Sequence, residues 1–100
     1  MTIVKDPEGM ETSTLHEMVD FKGRHVLEIG CGNGRLTWRY ASQTAHVMAI
    51  DPKPEDIEQA RANLPQGLQG RVNFLVSTIS DFAHANPEGR FDIAFFTWAL

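Results

Sequence analysis

The chain has 100 residues, of which 42% are hydrophobic and 22% charged, and its formal net charge is −4. This length fits one domain, and the composition excludes an intrinsically disordered chain. One cysteine excludes an internal disulfide framework, and the scattered basic residues argue against a nucleic-acid partner. We expect a cytoplasmic protein without a membrane partner, because the sequence contains neither a secretory signal nor an apolar run of about 20 residues.

The first predicted elements lead up to a β-strand. Residues 1–10 are expected to form a loose polar lead-in. Thr14 and Glu17 fit a capping box, and apolar residues at helical spacing follow, so a helix is predicted there, with Gly23 as its end. The β-rich segment 25–29 is bounded by glycine and predicts the first strand.

The next elements repeat the order of strand, loop and helix. A glycine-dense loop at 30–34 leads into a short helix predicted over 35–42. Residues 46–50 predict the second strand, which Asp51 and Pro52 close.

A second helix and two more strands follow. Pro54 suits the first position of a helix, and Pro65 ends it. Segments 72–76 and 93–96 predict the third and fourth strands, with a short helix over 80–85 between them. The fourth strand is continuously apolar, which is typical of a parallel sheet covered on both faces. The alternation indicates an α/β wound fold.

The strongest functional signal is the loop at 30–34, which reads G-C-G-N-G directly after the first strand. Glycines allow a sharp turn from strand to helix and let a ligand approach the backbone closely. Arg35 stands where a dinucleotide-binding fingerprint has its last glycine, which disfavours a pyrophosphate ligand. The loop therefore predicts a cofactor site of another kind.

Two carboxylates flank this loop. Asp51 follows the loop's last glycine, Gly34, by seventeen residues and closes the second strand, where a carboxylate can accept both hydroxyls of a ribose. Glu28 lies inside an apolar strand, and a buried carboxylate without a partner is strongly destabilising, so a cationic partner is expected.

The phrase VLEIGCGNGRL, residues 26–36, resembles the first motif of the class I S-adenosyl-L-methionine-dependent methyltransferases. The resemblance extends over about residues 11–100, which we take as the domain. It implies a Rossmann-like parallel sheet with flanking helices and methyl transfer from S-adenosyl-L-methionine to an unidentified acceptor, with a small molecule favoured. It also implies the following cofactor-binding residues: Glu28, Gly30, Cys31, Gly32, Gly34, Asp51, Pro52, Thr78 and Ile79.

The resemblance gives these residues separate roles. Glu28 would lie near the cationic amino-acid end of the cofactor, Asp51 would hold the ribose hydroxyls, and Pro52 would lie beside the adenine. Thr78 stands where the family often has an acidic residue that contacts the adenine amino group. Either Asp81 replaces that residue, or backbone groups near Thr78 hold the adenine.

The family's sheet has more strands than the four predicted here. We therefore expect the chain to be the N-terminal, cofactor-binding part of a longer domain that stops after its fourth strand. That strand would form an exposed apolar edge, which invites self-association. Thr97 and Trp98, which follow it, would lie on the methyl-transfer side.

Two alternatives remain open. A nicotinamide-dependent oxidoreductase would bind NADH, although Arg35 argues against it. A non-catalytic cofactor-binding module is the other alternative. The four histidines lie far apart, so no metal site is predicted. Cys31 is better explained as a small loop residue than as a nucleophile, and no catalytic residue is assigned.

Overall fold

The computed structural model describes residues 2–6 and 20–97, and within these it leaves out the side chains of residues 2–6 and 97. The predicted helix that begins near Thr14 and the predicted position of Trp98 both lie outside the described residues. The described strands are β1 (Thr2–Asp6), β2 (His25–Ile29), β3 (His46–Asp51), β4 (Val72–Val76) and β5 (Ile93–Thr97).

Among the described residues, three α-helices lie between β2 and β5 along the chain. They are α1 (Thr37–Tyr40), α2 (Pro54–Ala62) and α3 (Ile79–Ala85), and short 3-10 helices cover Ala41–Gln43 and Gln66–Leu68. The helix predicted over 35–42 is thus a single α-helical turn that continues as a 3-10 turn. Within the described residues, no helix is long and apolar enough to cross a membrane.

The strands form one parallel sheet in the order β1-β5-β2-β3-β4. The four strands predicted from the sequence are all present, and the predicted α/β class with a parallel sheet and flanking helices is confirmed. From β2 the chain proceeds outward to β3 and β4 and then returns to place β5 on the other side of β2. The order therefore reverses between β2 and β5, where open α/β sheets bind ligands beyond the strands' carboxyl ends.

Two expectations about the sheet were wrong. Residues 2–6 are not a loose lead-in, because they form β1 and pair in parallel with β5 from Thr2 opposite Ile93 onward. Consequently β5, the fourth predicted strand, is not an exposed edge, since it lies between β1 and β2. The run Thr2, Ile3 and Val4 is β-branched and therefore suited to a strand, which explains why this segment can pair there.

The sheet is covered on both faces, as its apolar strands predict. On one face, α1 and α2 pack over alternate strand residues such as Val26, Val47 and Phe95. On the other face, Phe82 of α3 packs against a smaller cluster that includes Leu27. Because successive strand residues point to opposite faces, Glu28 lies on the same face as Val26, towards α1.

Helix α2 follows from its local sequence. Pro54 occupies its first turn, and Glu55 and Asp56 lie there as well, near the positive end of the helix dipole. Ile57 and Ala60 are buried against the sheet, three residues apart on one helix face.

Candidate functional site

The glycine loop, residues 30–34, lies at the carboxyl end of β2, beside the point where the strand order reverses. It is attached to the neighbouring strand, because the backbone N–H groups of Gly30 and Cys31 both donate to the carbonyl of Ile50, at 2.8 and 3.1 Å. The loop therefore turns sharply over the end of β3 before the chain enters α1.

Three residues of the loop have backbone angles that favour glycine. Gly30, Gly32 and Gly34 have φ values of 82°, 56° and 89°. At Gly34 a Cβ atom would also lie 2.6 Å from Cζ2 of Trp38, so a side chain does not fit there. At Gly32 a Cβ atom would meet nothing within 4 Å, so the backbone of this residue faces open space. Gly32 thus leaves room for a ligand to lie against the main chain.

Asp51, the last residue of β3, is buried beside this loop. Its Oδ2 accepts a hydrogen bond from the backbone N–H of Gly32 at 3.0 Å, and its Oδ1 accepts one from the backbone N–H of Lys53 at 2.9 Å. Each carboxylate oxygen can accept two hydrogen bonds, so Asp51 keeps acceptor capacity on both. Pro52, between these contacts, is exposed at the same edge.

Glu28 is fully buried, and two hydroxyl groups bind it from α1. The side chains of Thr37 and Tyr40 both donate to Oε1 of Glu28, each at 2.7 Å. Hydrogen bonds to a carboxylate are among the stronger ones in proteins, so these two donors stabilise its negative charge. Sequence reasoning expected a cation here and missed both hydroxyls. The available signal was the spacing of Thr37 and Tyr40, which are three residues apart on one helix face.

Two neighbouring groups have shifted pKa values. Burial raises the pKa of the Tyr40 phenol well above its usual value, and the charge of Glu28 raises it further. Burial also raises the pKa of the Cys31 thiol, with smaller contributions from Glu28 and Asp51. Tyr40 therefore remains a proton donor to Glu28. Cys31 remains a thiol, which makes it a poor nucleophile, as its place in a glycine loop predicts.

The junction of β4 and α3 forms the outer side of the site. The backbone N–H of Ser77 donates to the carbonyl of Asp51 at 3.0 Å, which places this junction beside the end of β3. The hydroxyl of Thr78 accepts from the backbone N–H of Asp81 at 3.1 Å and so caps α3. Ile79 is 39% exposed, so an apolar side chain is available next to Thr78.

Asp81 is exposed in the first turn of α3. Its carboxylate lies near the positive end of that short helix, which explains an acidic residue at this position without a ligand. The described residues contain no group of three or more His, Cys, Asp or Glu side chains that could hold a metal ion.

The predicted site residues therefore lie along one edge of the sheet, at the carboxyl ends of three neighbouring strands. Glu28 and the glycine loop belong to the end of β2, Asp51 and Pro52 to the end of β3, and Thr78 and Ile79 to the segment after β4. The carboxylate of Asp51 beside the open backbone of Gly32 can accept hydrogen bonds from the hydroxyl groups of a ligand, and Glu28 adds a buried negative charge on the strand before the loop.

Comparisons with known proteins agree on one family. A family model described as a methyltransferase domain matches residues 26–100. The chain is 39% identical over 62 residues to a magnesium-protoporphyrin O-methyltransferase of Rhodobacter capsulatus, a match that covers 62% of this chain and 28% of that protein. It is also 39% identical over 74 residues to a ubiquinone biosynthesis O-methyltransferase of Xylella fastidiosa, covering 73% of this chain and 29% of the relative.

Solved structures share the fold. An arsenic(III) S-adenosylmethionine methyltransferase from Chlamydomonas reinhardtii superimposes with a TM-score of 0.66 at 21% identity, over 77% of this chain and 29% of that structure. This similarity concerns the arrangement of strands and helices. The chain spans less than a third of the length of the two relatives with similar sequences.

Proposed function

The chain belongs to the class I S-adenosyl-L-methionine-dependent methyltransferase family, and from this premise we propose that it forms the cofactor-binding portion of a methyltransferase. The observation that carries the proposal is the placement of Asp51. Its buried carboxylate lies at the end of β3, hydrogen-bonded to Gly32, whose backbone faces open space. This is where a ribose would meet both a carboxylate and an unobstructed main chain.

The residues of the site fit the chemical groups of S-adenosyl-L-methionine. Asp51 has remaining lone pairs for the two ribose hydroxyls. Glu28 offers a negative charge near the loop for the cationic amino-acid end. Ile79 is an exposed apolar side chain, and Pro52 is exposed as well, so both can contact the flat face of an adenine. Gly30, Cys31, Gly32 and Gly34 would bring the backbone against the ligand, and Thr78 would contribute backbone groups near the adenine.

When bound, S-adenosyl-L-methionine supplies an activated methyl group on a sulfonium, and the leaving group departs uncharged. The contribution of this chain is to bind and orient. Asp51 would hold the ribose, and the buried charge of Glu28 would attract the cationic end, which together orient the central part of the ligand. Alignment of two reacting groups at about 3–3.5 Å supplies a large part of the barrier reduction in such displacements.

For the acceptor, we propose a small molecule. The support comes from the two relatives, which are named for magnesium-protoporphyrin and for ubiquinone biosynthesis. The net charge of −4 argues in the same direction, because a nucleic acid is attracted by a basic surface.

Isothermal titration calorimetry of the chain with S-adenosylhomocysteine, the demethylated cofactor, tests the proposal. We expect saturable binding that Asp51→Ala weakens by at least about tenfold, because hydrogen bonds to a charged group contribute about 1.5–3 kcal/mol each. Glu58→Ala removes an exposed carboxylate on α2 and is the matched control, with binding unchanged.

NADH serves as the comparator ligand, and circular dichroism verifies that each sample is folded. Binding of NADH in place of S-adenosylhomocysteine would establish the oxidoreductase alternative. A folded chain that binds neither ligand, or an Asp51→Ala variant with unchanged affinity, contradicts the proposal.

A further inference from the structure

We propose that His25, His46 and Asn73 form a binding site for one divalent transition-metal ion at the amino end of the sheet. This site does not depend on the proposed function, because it lies at the opposite end of the strands from Asp51. His46 is the first residue of β3 and Asp51 the last, so roughly 16 Å of strand separates them.

The two histidines are distant in the sequence and adjacent in the sheet. His25 begins β2 and His46 begins β3, and the parallel register places them directly opposite each other. Each lies two residues before an apolar residue of the face that α3 covers, Leu27 on β2 and Met48 on β3, so both side chains share that face. Neighbouring strands lie about 4.7–4.9 Å apart, so two imidazoles that extend from this pair can reach one ion between them.

Asn73 supplies a third group from β4. Its side-chain Nδ2 lies 2.7 Å from Nε2 of His46, and a half-turn of the amide puts the oxygen, an electron-pair donor, in that place. Ligand atoms about 2.0–2.1 Å from one tetrahedral ion lie roughly 3.3 Å from each other. The two side chains therefore need to separate by only roughly 0.6 Å to share an ion. Asn73 and His25 are exposed, which leaves both free to make this adjustment around the half-buried His46.

The charges around the pair are compatible with a cation. Burial lowers the pKa of the His46 imidazole, and the neighbouring His25 lowers it further, so the two rings lie within electrostatic reach of each other. Arg71, which directly precedes β4, donates from Nη1 to the carbonyl of Ser42 at 2.5 Å, so its guanidinium is engaged there. The carboxylate of Asp92 accepts from the backbone N–H of His25 at 2.9 Å and places a negative charge beside the site.

The ligand set selects the class of metal. Imidazole nitrogens suit Zn²⁺, Cu²⁺ and Ni²⁺, whereas Mg²⁺ and Ca²⁺ prefer oxygen ligands only. Water would complete the coordination shell of the bound ion. The competing explanation is that Asn73 only satisfies the ring of a half-buried histidine. That role has no need of His25 and predicts no metal binding, so the two explanations can be separated by experiment.

The test is calorimetric titration of the chain with ZnCl₂ at pH 7.5, with MgCl₂ as the comparator. We expect saturable binding of one Zn²⁺ per chain and no binding of Mg²⁺. His25→Gln, His46→Gln and Asn73→Ala should each weaken Zn²⁺ binding by at least about tenfold, because even the outer partners of a metal site typically contribute about 10–100-fold to its affinity. His84→Gln, at an exposed position on α3, removes an imidazole outside the cluster and is the matched control, with binding unchanged.

Thermal unfolding with and without Zn²⁺ provides a second measurement, because an ion that binds only the folded chain raises the midpoint. We expect this rise in the wild-type chain and in His84→Gln, and a smaller rise in His25→Gln. If His46→Gln does not fold, the two exposed positions, His25 and Asn73, supply the answer.

Three results would overturn the metal site: no saturable Zn²⁺ binding by the folded wild-type chain, wild-type affinity in His25→Gln, or an equal loss of affinity in His84→Gln. The titration uses Zn²⁺ alone and the test of the proposed function uses S-adenosylhomocysteine alone, so failure of one proposal leaves the other intact.

Discussion

The backbone N–H of Gly32 lies 3.0 Å from Oδ2 of Asp51 and donates a hydrogen bond to it, which ties the glycine loop after β2 to the end of β3. The other oxygen of the same carboxylate binds the backbone N–H of Lys53 at 2.9 Å. One buried side chain thus sets the conformation of two loops. A ligand that approaches Asp51 meets a carboxylate whose orientation is already fixed, so less conformational freedom is lost on binding.

Asp51→Asn tests whether the carboxylate of Asp51 organises these two loops. An amide has one oxygen that accepts hydrogen bonds and an NH₂ group that only donates, so one of the two backbone N–H groups would face another donor. We expect a loss of about 1–3 kcal/mol in the free energy of unfolding, measured by urea denaturation. Glu58→Gln, at an exposed position on α2, makes the same chemical change and should leave stability unaltered. Equal stability of the two variants would show that Asp51 does not organise the loops.

Gly34→Ala should destabilise the chain for two reasons. Gly34 has a φ of 89°, which is unfavourable for alanine, and the new Cβ would lie 2.6 Å from the ring of Trp38. Overpacking of this kind costs about 1–3 kcal/mol, with backbone strain in addition. Gly67→Ala is the control, because a Cβ there meets nothing within 4 Å. Chemical denaturation of both variants measures the difference, and a Gly34→Ala variant as stable as Gly67→Ala would contradict the structure at this loop.

Tyr40 is the only tyrosine of the chain, so tyrosinate absorbance near 295 nm reports on this residue alone. Burial and the charge of Glu28 raise the pKa of its phenol, so we expect no ionisation of the folded chain near pH 10, where an exposed tyrosine titrates. Ionisation at the ordinary pKa in a sample that circular dichroism shows to be folded would disprove the buried contact.

The same shift makes stability depend on pH. Above the unfolded pKa of about 10, the unfolded chain loses a proton that the folded chain retains, so the free energy of unfolding falls as the pH rises. The raised pKa of Cys31 acts in the same direction. Tyr40→Phe and Cys31→Ser should therefore each remove part of the alkaline loss. Urea denaturation at pH 8 and at pH 10.5 compares the variants, and an equal alkaline loss in wild type and Tyr40→Phe would contradict this linkage.

The glycine loop and the parallel sheet could be predicted from the sequence because each depends on residues that are close together in the chain. Glycines after an apolar strand, and an aspartate that closes the next strand, lie in short segments whose conformation depends on neighbouring residues. Parallel pairing follows from the alternation of strands and helices. These local features are enough to place Gly32 and Asp51 at one edge of the sheet.

The rest depends on contacts between distant segments. The pairing of Thr2 with Ile93 joins opposite ends of the chain, and the polar residues around this short β-branched run predict a loop instead. The hydroxyls that bind Glu28 belong to α1, and the way α1 packs on the sheet determines which residue they face. The spacing of Thr37 and Tyr40 in the sequence does not reveal that residue. The pairing of β1 and the contacts of Glu28 depend on burial and hydrogen bonding, which are known only once the three-dimensional fold is known.

Arg61 on α2 protects the outer edge of the sheet. Its guanidinium Nη2 donates to the carbonyl of Phe74 in β4 at 2.7 Å. The carbonyl of Arg71 and the N–H of Ser77 both form hydrogen bonds with β3. The backbone groups of successive strand residues point to alternate sides, and Phe74 lies three residues from each of these two. The carbonyl of Phe74 therefore points away from β3, towards the open edge of the sheet. This edge is a template for pairing with another chain, and Leu75 nearby is 38% exposed.

Arg61→Met removes the guanidinium and keeps an unbranched apolar side chain on the helix. We expect the variant to self-associate at concentrations where the wild-type chain remains monomeric, because an unpaired carbonyl and an apolar edge become accessible together. Sedimentation velocity over a concentration series measures this. Arg90→Met, at an exposed position after α3, lowers the charge by the same amount and controls for reduced electrostatic repulsion. Association that is equal in both variants would assign the effect to net charge, and association in neither would show that the β4 edge is protected by other means.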